Sequence, residues 1–369
     1  MHPFTYTTAR TVDEAIEMVG EKGRYLAGGI DLLAEMKDYL LTPSPEILVN
    51  VKRVQRPSNV VTGIAPKTSA ATGSVPFLNR ISFIDSSAAA VDAKVSGASA
   101  FPGKAAPAEH FRIDANVTIA EIAASADLKK TFPGLTHAAG EVGSTQIRNV
   151  ATIAGNLLQH SRCWYYRHTD VTCQKKGGDK CLARDGENRY HALFTGGSCV
   201  TVIASNMATM LTALDAAVTV RRGRATATLS MPELYAEAWK EAAAHHSLDS
   251  QDFLTGVNIP TTRKRCAYRQ QSEKKEFDWA LVSCAAAGNV TNGVITDARV
   301  VLGCVAPVPY MSVDVNNFLQ GKPLNEETAT KAADMLLKDA KPLSQNGYKV
   351  PLAHTLVRRA LLALNETAG

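Results

Sequence analysis

Residues 1–54 alternate between amphipathic and unbroken apolar segments. Thr11 and Glu14 have the spacing of a capping box, in which each side chain accepts a hydrogen bond from the other residue's backbone N–H, and they predict the start of a helix. A short apolar strand then runs into two glycines, residues 32–41 have a helical pattern, and residues 47–51 form an unbroken apolar strand. The alternation predicts a first unit of α/β or α+β type.

The middle of the chain divides into two parts with different patterns. Residues 55–110 are rich in Ala, Ser, Pro and Gly and have weak periodicity, which predicts a long insertion or loop. Order returns over residues 111–260, where capping boxes that begin at Thr118 and Ser230 predict two helices. The apolar residues 213–222 predict a buried strand in the same part of the chain.

Residues 261–369 have the pattern of a separate antiparallel sheet with helices. Strand-like segments on both sides of Asn292 and Gly293 predict a hairpin, because Asn-Gly favours the tight turn that joins two antiparallel strands. Two helices are expected from Glu326 and from Val350. The C-terminal third is therefore predicted to be a small α+β domain.

The composition is that of a well-cored globular protein. The chain has 369 residues, 45% hydrophobic and 20% charged, which is enough for two or three domains. The net charge is only +5, without a long Lys/Arg block or interleaved aromatic residues, so nucleic-acid binding is not expected. No apolar run approaches the roughly 18 residues of a membrane span, and the N-terminus lacks the pattern of a secretory signal.

Two glycine turns carry candidate chemistry. Gly28 and Gly29 stand between a strand and a helix, where backbone N–H groups can approach a diphosphate, but the spacing is not that of a nicotinamide dinucleotide fingerprint. Residues 143–156 offer hydroxyls, amides and Gly155 in one compact stretch, which suits phosphate and ribityl oxygens. Taken singly, each turn is explained as well by ordinary turn and cap formation.

Four of the seven cysteines crowd into residues 160–200, beside several Lys and Arg residues. An odd number of cysteines with one cluster disfavours a disulfide framework and favours a reducing compartment with a thiolate metal site. The candidate ligands are Cys163, Cys173, Cys181 and Cys199. Their spacing matches neither a two-cluster ferredoxin nor a plain zinc finger, so a [4Fe–4S] cluster, zinc and reduced thiols all remain open, as does a mixed zinc site with His160 or His168.

The remaining candidates have plainer interpretations. Cys266, Cys284 and Cys304 lie in apolar strand contexts and are expected to be buried, inert thiols. His245 and His246 follow a charged helical segment and are expected to lie on a solvated helix face. No set of Ser, His and Asp residues suggests nucleophilic catalysis.

Taken together, these segments resemble the FAD-binding medium subunit of molybdenum hydroxylases, the xanthine dehydrogenase family. The motifs that carry the resemblance are residues 27–32, 143–149, 152–156, 277–283 and 301–307. The implied fold is α+β, with a two-part FAD-binding domain of the vanillyl-alcohol-oxidase type (residues 1–54 and 111–260) and a small C-terminal α+β domain with a three-stranded antiparallel sheet (residues 261–369).

The cysteine loop narrows the resemblance. It is similar to the loop in the FAD subunits of periplasmic aldehyde oxidoreductases and of 4-hydroxybenzoyl-CoA reductase, where four cysteines bind an extra [4Fe–4S] cluster. Cys163 follows the Asn156-Leu-Leu turn as in that branch, and Cys181 and Cys199 match the third and fourth ligands. The resemblance therefore implies iron–sulfur ligation by these cysteines in preference to zinc or free thiols.

The resemblance also assigns cofactor contacts, with FAD and a [4Fe–4S] cluster as the cofactors. The implied FAD contacts are Leu26, Ala27, Gly28, Gly29, Ile30, Asp31, Leu32 and Leu33 at the diphosphate, Ser144, Thr152, Gly155 and Asn156 at the phosphates and ribityl chain, and Leu254 near the flavin ring, with Asn206 and Gln270 at the same site. Four positions depart from the family: Ile30 replaces Thr, Ala154 replaces Gly, Asn206 replaces Asp and Gln270 replaces Lys.

The implied function is electron transfer. A large molybdopterin-binding subunit would oxidise an aldehyde or N-heterocycle, and a small subunit with two [2Fe–2S] centres would pass the electrons to FAD in this chain, in a heterotrimer or its dimer. The alternative is a non-catalytic, zinc-stapled interaction module that has lost flavin. The expected compartment is the cytoplasm, where metal clusters are assembled, or the periplasm after export as a folded complex led by a partner's signal.

Overall fold

A computed structural model of the chain describes residues 1–54, 81–84, 110–263 and 265–366. Within these residues the strands form three sheets, and helices pack on each of them. Within the predicted insertion, residues 81–84 and residue 110 belong to strands. The rest of that prediction lies outside the described residues. The mixed helix-and-strand character predicted from the sequence is confirmed.

The N-terminal unit is a three-stranded parallel sheet with two helices that connect its strands. Its elements are β1 (Thr5–Thr8), α1 (Val12–Val19), β2 (Gly23–Leu26), α2 (Leu32–Lys37) and β3 (Ile47–Asn50). The strand order is β1-β3-β2, with β3 parallel to both neighbours. Parallel neighbours need a crossover connection, and α1 and α2 supply it. The predicted helix over residues 32–41 is shorter, because α2 ends at Lys37.

The predicted capping box at the start of α1 forms only in part. Thr11 Oγ1 accepts from the backbone N–H of Glu14 at 3.1 Å, which caps the helix. The Glu14 carboxylate accepts from the backbone N–H of Arg10 at 2.7 Å. The return bond of the box therefore reaches the residue before the cap.

The middle unit is an antiparallel five-stranded sheet in the order β4-β5-β8-β6-β7. Its strands are β4 (Ile81–Ile84), β5 (His110–Asp114), β6 (Ala217–Arg222), β7 (Ala225–Ser230) and β8 (Phe253–Pro260). Its helices are α3 (Ile119–Ala124), α4 (Ala126–Thr131), α5 (Pro133–Gly140), α6 (Thr145–Val150), α7 (Ile153–Leu157), α8 (Trp164–Arg167), α9 (Asn206–Ala213) and α10 (Met231–Lys240).

Local signals in this unit predict helix starts better than strand limits. Both predicted capping boxes, at Thr118 and Ser230, form completely. The predicted strand over residues 213–222 is wrong at its start, because Ala213 ends α9 and β6 begins at Ala217. All eight residues of α9 are buried, so its sequence shows no polar face that would separate a buried helix from a buried strand.

The C-terminal unit is an antiparallel sheet covered by helices. Its elements are β9 (Arg265–Gln271), β10 (Val282–Thr291), β11 (Val294–Gly303), β12 (Tyr310–Met311), α11 (Val313–Leu319), β13 (Lys322–Pro323), α12 (Glu326–Leu337) and α13 (Lys349–Glu366). The predicted hairpin at Asn292-Gly293 is confirmed, and both residues have the positive φ that this turn requires. Three long strands form the sheet, and the two-residue strands β12 and β13 extend it.

Strand β10 places the C-terminal sheet between two cores. Ala285 and Ala287 pack in the core of the middle unit, whereas Cys284 and Ala286 face the core under α12 and α13. Successive strand residues point to opposite faces, so small side chains on both faces let the sheet lie close to helices on each side. The middle and C-terminal units therefore share a continuous packed interior.

Candidate functional site

A cavity of about 960 Å³ lies where the N-terminal turn, the middle unit and the loop before β10 meet. Of the predicted cofactor residues, those that line it are Leu26, Ala27, Gly28, Gly29, Ile30, Asp31, Leu32, Thr152, Gly155, Asn156, Asn206 and Leu254. Leu33, Ser144 and Gln270 do not line it. Segments far apart in sequence are thus brought to one concave surface, as is typical of cofactor sites.

The two predicted glycine turns contact each other directly. A Cβ atom on Gly28 would lie 2.4 Å from the carbonyl oxygen of Val150, so only glycine fits at this close approach. Gly29 has φ +77°, a left-handed conformation that glycine adopts without strain. The first turn therefore depends on glycine for packing at one position and for backbone conformation at the next.

The hydroxyls of the second turn are used as helix caps. Thr152 Oγ1 accepts from the backbone N–H of Gly155 at 3.1 Å and caps α7. Ser144 Oγ accepts from the backbone N–H of Ile147 at 3.2 Å, caps α6 and is buried. Asn156 Oδ1 accepts from Ser205 Oγ at 2.6 Å. Ser144 is thus placed behind the wall of the cavity, and Thr152 and Asn156 form the wall itself.

Two residues that depart from the family pattern bond to each other. Asn206 Nδ2 donates to Gln270 Oε1 at 3.1 Å, and Gln270 Nε2 donates to Glu141 Oε2 at 3.1 Å. The Tyr268 hydroxyl donates to the same Gln270 oxygen at 3.0 Å. Asn206 and Glu141 line the cavity, so Gln270 supports the wall from behind.

Asp31 joins the first glycine turn to the start of the cysteine loop. Its carboxylate lies 2.6 Å from Arg162 Nη1 and 2.7 Å from Arg167 Nη2, and it accepts from the backbone N–H of His160 at 2.7 Å. Burial alone would raise the pKa of Asp31, but the charges of both arginines outweigh this effect and leave the pKa lowered. The ionised carboxylate therefore links the first glycine turn to the start of the cysteine loop at the wall of the cavity.

Glu35, 1% exposed, lies behind Asp31. It accepts from the Tyr166 hydroxyl at 3.0 Å and lies 3.0 Å from His160 Nδ1. Ligand atoms of Asp31, Glu35 and His160 all lie within 4.8 Å of one another, as in a divalent-metal site. The Arg167 guanidinium already contacts both carboxylates, at 2.7 and 3.5 Å, and this cation compensates their charge in place of a metal.

The expectation for His245 and His246 is wrong. Helix α10 ends at Lys240, and both histidines lie in the following non-helical segment on the cavity wall. The His245 ring stacks on the His160 ring, with centroids 4.0 Å apart and planes within 6°. Desolvation lowers the pKa of both side chains, to about 4 for His246. Tertiary packing of this segment overrides the helical pattern of its sequence.

Two exposed aromatic residues, Phe277 and Trp279, were not predicted as site residues and also line the cavity. Phe277 is 68% exposed and has φ +64°, which is uncommon for a residue with a bulky side chain. The Arg162 guanidinium lies 5.4 Å from the Trp279 ring centroid, within cation–π range. Exposed large aromatics are the sequence signal for such a position, but a single sequence does not reveal which aromatics are exposed.

The four clustered cysteines converge on one small pocket. Backbone N–H groups donate to three of the sulfurs: those of Tyr165 and Tyr166 to Cys163, those of Ala183 and Val200 to Cys181, and that of Thr201 to Cys199. Such donors stabilise negatively charged sulfur and are typical of iron–sulfur ligation. Among the described residues, no three of these sulfurs lie within 4.8 Å of one another.

The protonation of the cysteines reflects two opposing effects. The Cys199 thiol and the Cys181 sulfur share a hydrogen bond that lowers the pKa of Cys181 and raises the pKa of Cys199. Burial raises the pKa of Cys163 to about 11. Burial also raises the pKa of the three scattered thiols, which are buried as predicted: Cys266, Cys284 and Cys304. Burial and hydrogen bonding thus act in opposite directions on the cysteines of the loop.

The histidine beside the cysteines is one that the sequence did not single out. His191 Nε2 lies 3.1 Å from Cys163 Sγ, and His191 Nδ1 is buried without a hydrogen-bond partner. His160 belongs to the Glu35 group, and His168 is exposed. The order of residues along a loop does not show which histidine ring packs against the cysteines. The sequence therefore indicated His160 and His168, which are near Cys163 along the chain.

The cysteine pocket suits a thiolate-bound group. With a thiolate at Cys163, His191 Nε2–H donates to sulfur, and Nδ1 is left as a bare acceptor, which costs less than a buried N–H without a partner. Lys175 is 7% exposed and is attracted to the sulfurs of Cys199, Cys173 and Cys163. A buried cation and several N–H donors around four sulfurs match the charge of a metal–thiolate centre.

No helix among the described residues is long and apolar enough to cross a membrane.

Family profiles match most of the part of the chain that contains these sites. The profile described as the FAD binding domain in molybdopterin dehydrogenase matches residues 101–262. The profile described as the CO dehydrogenase flavoprotein C-terminal domain matches residues 267–364. The first match ends just after β8, the last strand of the middle sheet, and the second begins within β9, the first strand of the C-terminal sheet.

Individual proteins agree with the profiles. The aldehyde oxidoreductase FAD-binding subunit PaoB of Escherichia coli (strain K12) is 30% identical over 66% of this chain and 74% of its own length. The xanthine dehydrogenase FAD-binding subunit of Escherichia coli O157:H7 is 20% identical over 70% of this chain and 75% of its own length. The name of each describes an FAD-binding subunit of an oxidoreductase.

Solved structures share the fold. Quinoline 2-oxidoreductase from Pseudomonas putida 86 superposes with a TM-score of 0.66 at 19% identity, over 99% of this chain and 98% of its own. Carbon monoxide dehydrogenase from Hydrogenophaga pseudoflava superposes with a TM-score of 0.65 at 20% identity, over 100% and 99% of the two chains. From these matches and the cavity built by its glycine turns, the chain belongs to the FAD-binding subunits of the molybdenum hydroxylase family.

Proposed function

We propose that this chain binds FAD in the cavity of about 960 Å³ and serves as the electron-transfer subunit of a molybdenum hydroxylase. One observation carries the proposal: the two glycine turns meet at the cavity wall, with Gly28 against Val150. Backbone N–H groups of the first turn can bind a diphosphate, whereas those of residues 153–156 already donate to acceptors within the chain. A bound flavin supplies the change between one-electron and two-electron transfer, and the chain supplies binding and orientation.

We propose that the predicted FAD residues divide into those that contact the cofactor and those that support the contacts. We place the diphosphate against the backbone of residues 26–32 and 152–156, and the flavin ring near Leu254, all of which line the cavity. Ser144 and Gln270 lie behind these residues and support them, whereas Leu33 is exposed outside the cavity. The Asn206–Gln270 hydrogen bond is a neutral pair that keeps the wall intact, so these departures do not argue for loss of flavin.

For the cysteine loop we propose a [4Fe–4S] cluster held by Cys163, Cys173, Cys181 and Cys199. Four sulfurs at about 2.3 Å from one tetrahedral zinc ion would lie only about 3.8 Å apart. The sulfurs are spread more widely than this, since no three in the described chain fall within 4.8 Å. The spacing therefore favours a larger group than a single ion.

The partners follow from the family and from the relatives' names. We propose assembly with a large molybdopterin-binding subunit and a small subunit with two [2Fe–2S] centres, as a heterotrimer or its dimer. PaoB belongs to an aldehyde oxidoreductase, which makes an aldehyde the first substrate to test for the complex. The compartment proposed is the cytoplasm, where clusters are assembled, with export as a folded complex as the alternative.

Reconstitution of the full-length chain tests both cofactors. The chain would be incubated anaerobically with iron, sulfide and FAD, desalted, and analysed for iron, sulfide, zinc and flavin. We expect one FAD, about four iron and about four sulfide per chain. A colourless protein that binds zinc but neither flavin nor iron would refute the proposal and support the interaction-module alternative.

A further inference from the structure

Lys175 connects the cysteine pocket to the wall of the large cavity. It lies in the 3-10 turn Gln174–Lys176, directly after Cys173, and lines the cysteine pocket. Its ammonium group donates to the backbone carbonyls of Ala242 at 2.9 Å and Ala244 at 2.7 Å. Ala244 lines the large cavity, so a single side chain reaches from one site to the other.

Lys175 holds the first half of a segment that lines the cavity. Residues 241–250 follow the end of α10 and contain no helix or strand. Near the cysteine pocket, the stack of His245 on His160 and the bond from the Ser161 N–H to His245 Nδ1 at 3.2 Å also hold the segment. Farther along, the Ser247 backbone N–H donates to the Leu234 carbonyl at 2.8 Å, and the Asp249 N–H donates to Asp252 Oδ2 at 3.0 Å. Residues 243–250 line the cavity, so the position of this segment determines the shape of the wall.

Lys175 lines the pocket of the cysteine sulfurs, which attract its charge. The side chain is 7% exposed, and among the described residues no Asp or Glu pairs with it. A buried cation without a partner is unfavourable, and two carbonyl bonds compensate it only in part. Thiolates bound to a metal centre carry the negative charge that neutral thiols lack, so a loaded cysteine site holds Lys175 in place.

We propose that Lys175 is a positioning residue through which occupancy of the cysteine site strengthens flavin binding in the large cavity. The inference rests on the proposed function of both sites. When the cysteine site holds its metal group, the charge of the thiolates fixes the ammonium group of Lys175. The ammonium group then fixes the carbonyls of Ala242 and Ala244, and these carbonyls fix the cavity wall around His245. Because binding free energies are reciprocal, bound flavin also strengthens retention of the metal group.

The test measures the FAD dissociation constant of the full-length chain in two states, cluster-free and reconstituted with iron and sulfide, by anaerobic titration of flavin fluorescence. We expect loading to tighten FAD binding by about 5- to 150-fold, the usual range for coupling between two sites. This comparison needs no substitution. Equal dissociation constants in the two states would overturn the inference while leaving the proposed function intact, whereas absence of FAD and iron would refute the function itself.

Two lysine variants assign the coupling. Lys175→Met removes the buried ammonium group, and Lys180→Met removes the same charge from an exposed position in the same loop. We expect the loading effect to fall below about twofold in Lys175→Met and to persist in Lys180→Met. A full loading effect in Lys175→Met would overturn the assignment, and circular dichroism of both variants checks that they fold alike.

Discussion

The large cavity and the cysteine pocket are built in opposite ways. The cavity is formed by segments from residue 24 to residue 279, and its glycine turns are shaped by close backbone packing. The cysteine pocket comes almost entirely from one loop, between Cys163 and Cys199, with little regular structure. The cavity is therefore shaped by packing between distant segments, whereas the cysteine pocket is shaped by the conformation of one loop.

The largest expected effect is the loss of iron from the cysteine pocket when one of its cysteines is replaced. Cys181→Ser removes the sulfur with the lowered pKa, which also accepts N–H bonds from Ala183 and Val200. We expect the reconstituted variant to lose nearly all cluster iron, because a hydroxyl is a poor ligand for iron–sulfur centres. Iron and sulfide analysis after anaerobic reconstitution measures this loss.

Cys284→Ser is the matched control for this prediction, because Cys284 is a buried thiol outside the pocket. It should retain the iron content of the unmodified chain. Equal iron in the Cys181 and Cys284 variants would show that the loop cysteines are not the ligands.

The next effect tests whether the cavity is shaped by backbone packing. Gly28→Ala places a Cβ 2.4 Å from the Val150 carbonyl oxygen, so the two glycine turns must move apart. We expect FAD affinity to fall by more than about tenfold and unfolding free energy by about 1–3 kcal/mol. Flavin titration and urea denaturation measure the two quantities.

The control for Gly28 is Gly140→Ala at the end of α5, where an added Cβ meets nothing within 4 Å. This variant should bind FAD like the unmodified chain. A Gly28→Ala variant with unchanged affinity would mean that the contact between the turns does not shape the diphosphate site.

A smaller effect concerns pH. Desolvation lowers the pKa of His246 from 6.5 to about 4, so the unfolded chain binds the proton more tightly than the folded chain. Above pH 6.5 the side chain is neutral in both states and does not lower the unfolding free energy. As pH falls from 6.5 towards 4, the unfolding free energy decreases, with a slope of at most about 1.4 kcal/mol per pH unit. His246→Gln should make the acid side of the stability profile shallower.

The exposed His168 provides the control for the pH experiment. His168→Gln should leave the profile of unfolding free energy against pH unchanged. If His246→Gln has the same profile as the unmodified chain between pH 6.5 and 4, then burial of His246 on the cavity wall does not contribute to the acid response.

The smallest effect separates the cap at the second turn from a cap elsewhere. Thr152→Ala removes the hydroxyl that accepts from Gly155, and a lost N-cap costs about 0.5–2 kcal/mol. Ser125→Ala removes a similar cap at α4, outside the cavity. Both variants should lose similar unfolding free energy, but only Thr152→Ala should weaken FAD binding. Equal FAD affinity in the two variants would remove Thr152 from the site.

Signals local in sequence predicted most of the fold. The boxes at Thr118 and Ser230 and the Asn-Gly hairpin depend on residues within a few positions of each other, and the structure has them where the sequence indicated. The start of β6 was misplaced because a fully buried helix such as α9 has no polar face. Helix starts and turns depend on local chemistry and can be predicted from the sequence. Strand limits are predicted less well, because they are inferred from the pattern of buried residues.

The candidate site was predicted where motifs are continuous and missed where folding brings distant rings together. The glycine turns and most assigned residues line the cavity. By contrast, His191, His245 and Phe277, in the loop before β10, reach their sites through long-range packing. Ser144 and Gln270 were assigned to the cofactor but stand one layer behind the wall. Sequence spacing cannot distinguish a residue that forms a wall from one that supports it.

The central claim is that the backbone of the first glycine turn, packed against the second turn, binds the FAD diphosphate. Hydrogen exchange of the full-length chain, with and without FAD, measures this at the amides themselves. The account predicts slower exchange on FAD addition at residues 28–32, because the N–H groups of residues 153–156 already donate within the chain. Protection confined to other segments, with these amides unchanged, would contradict it.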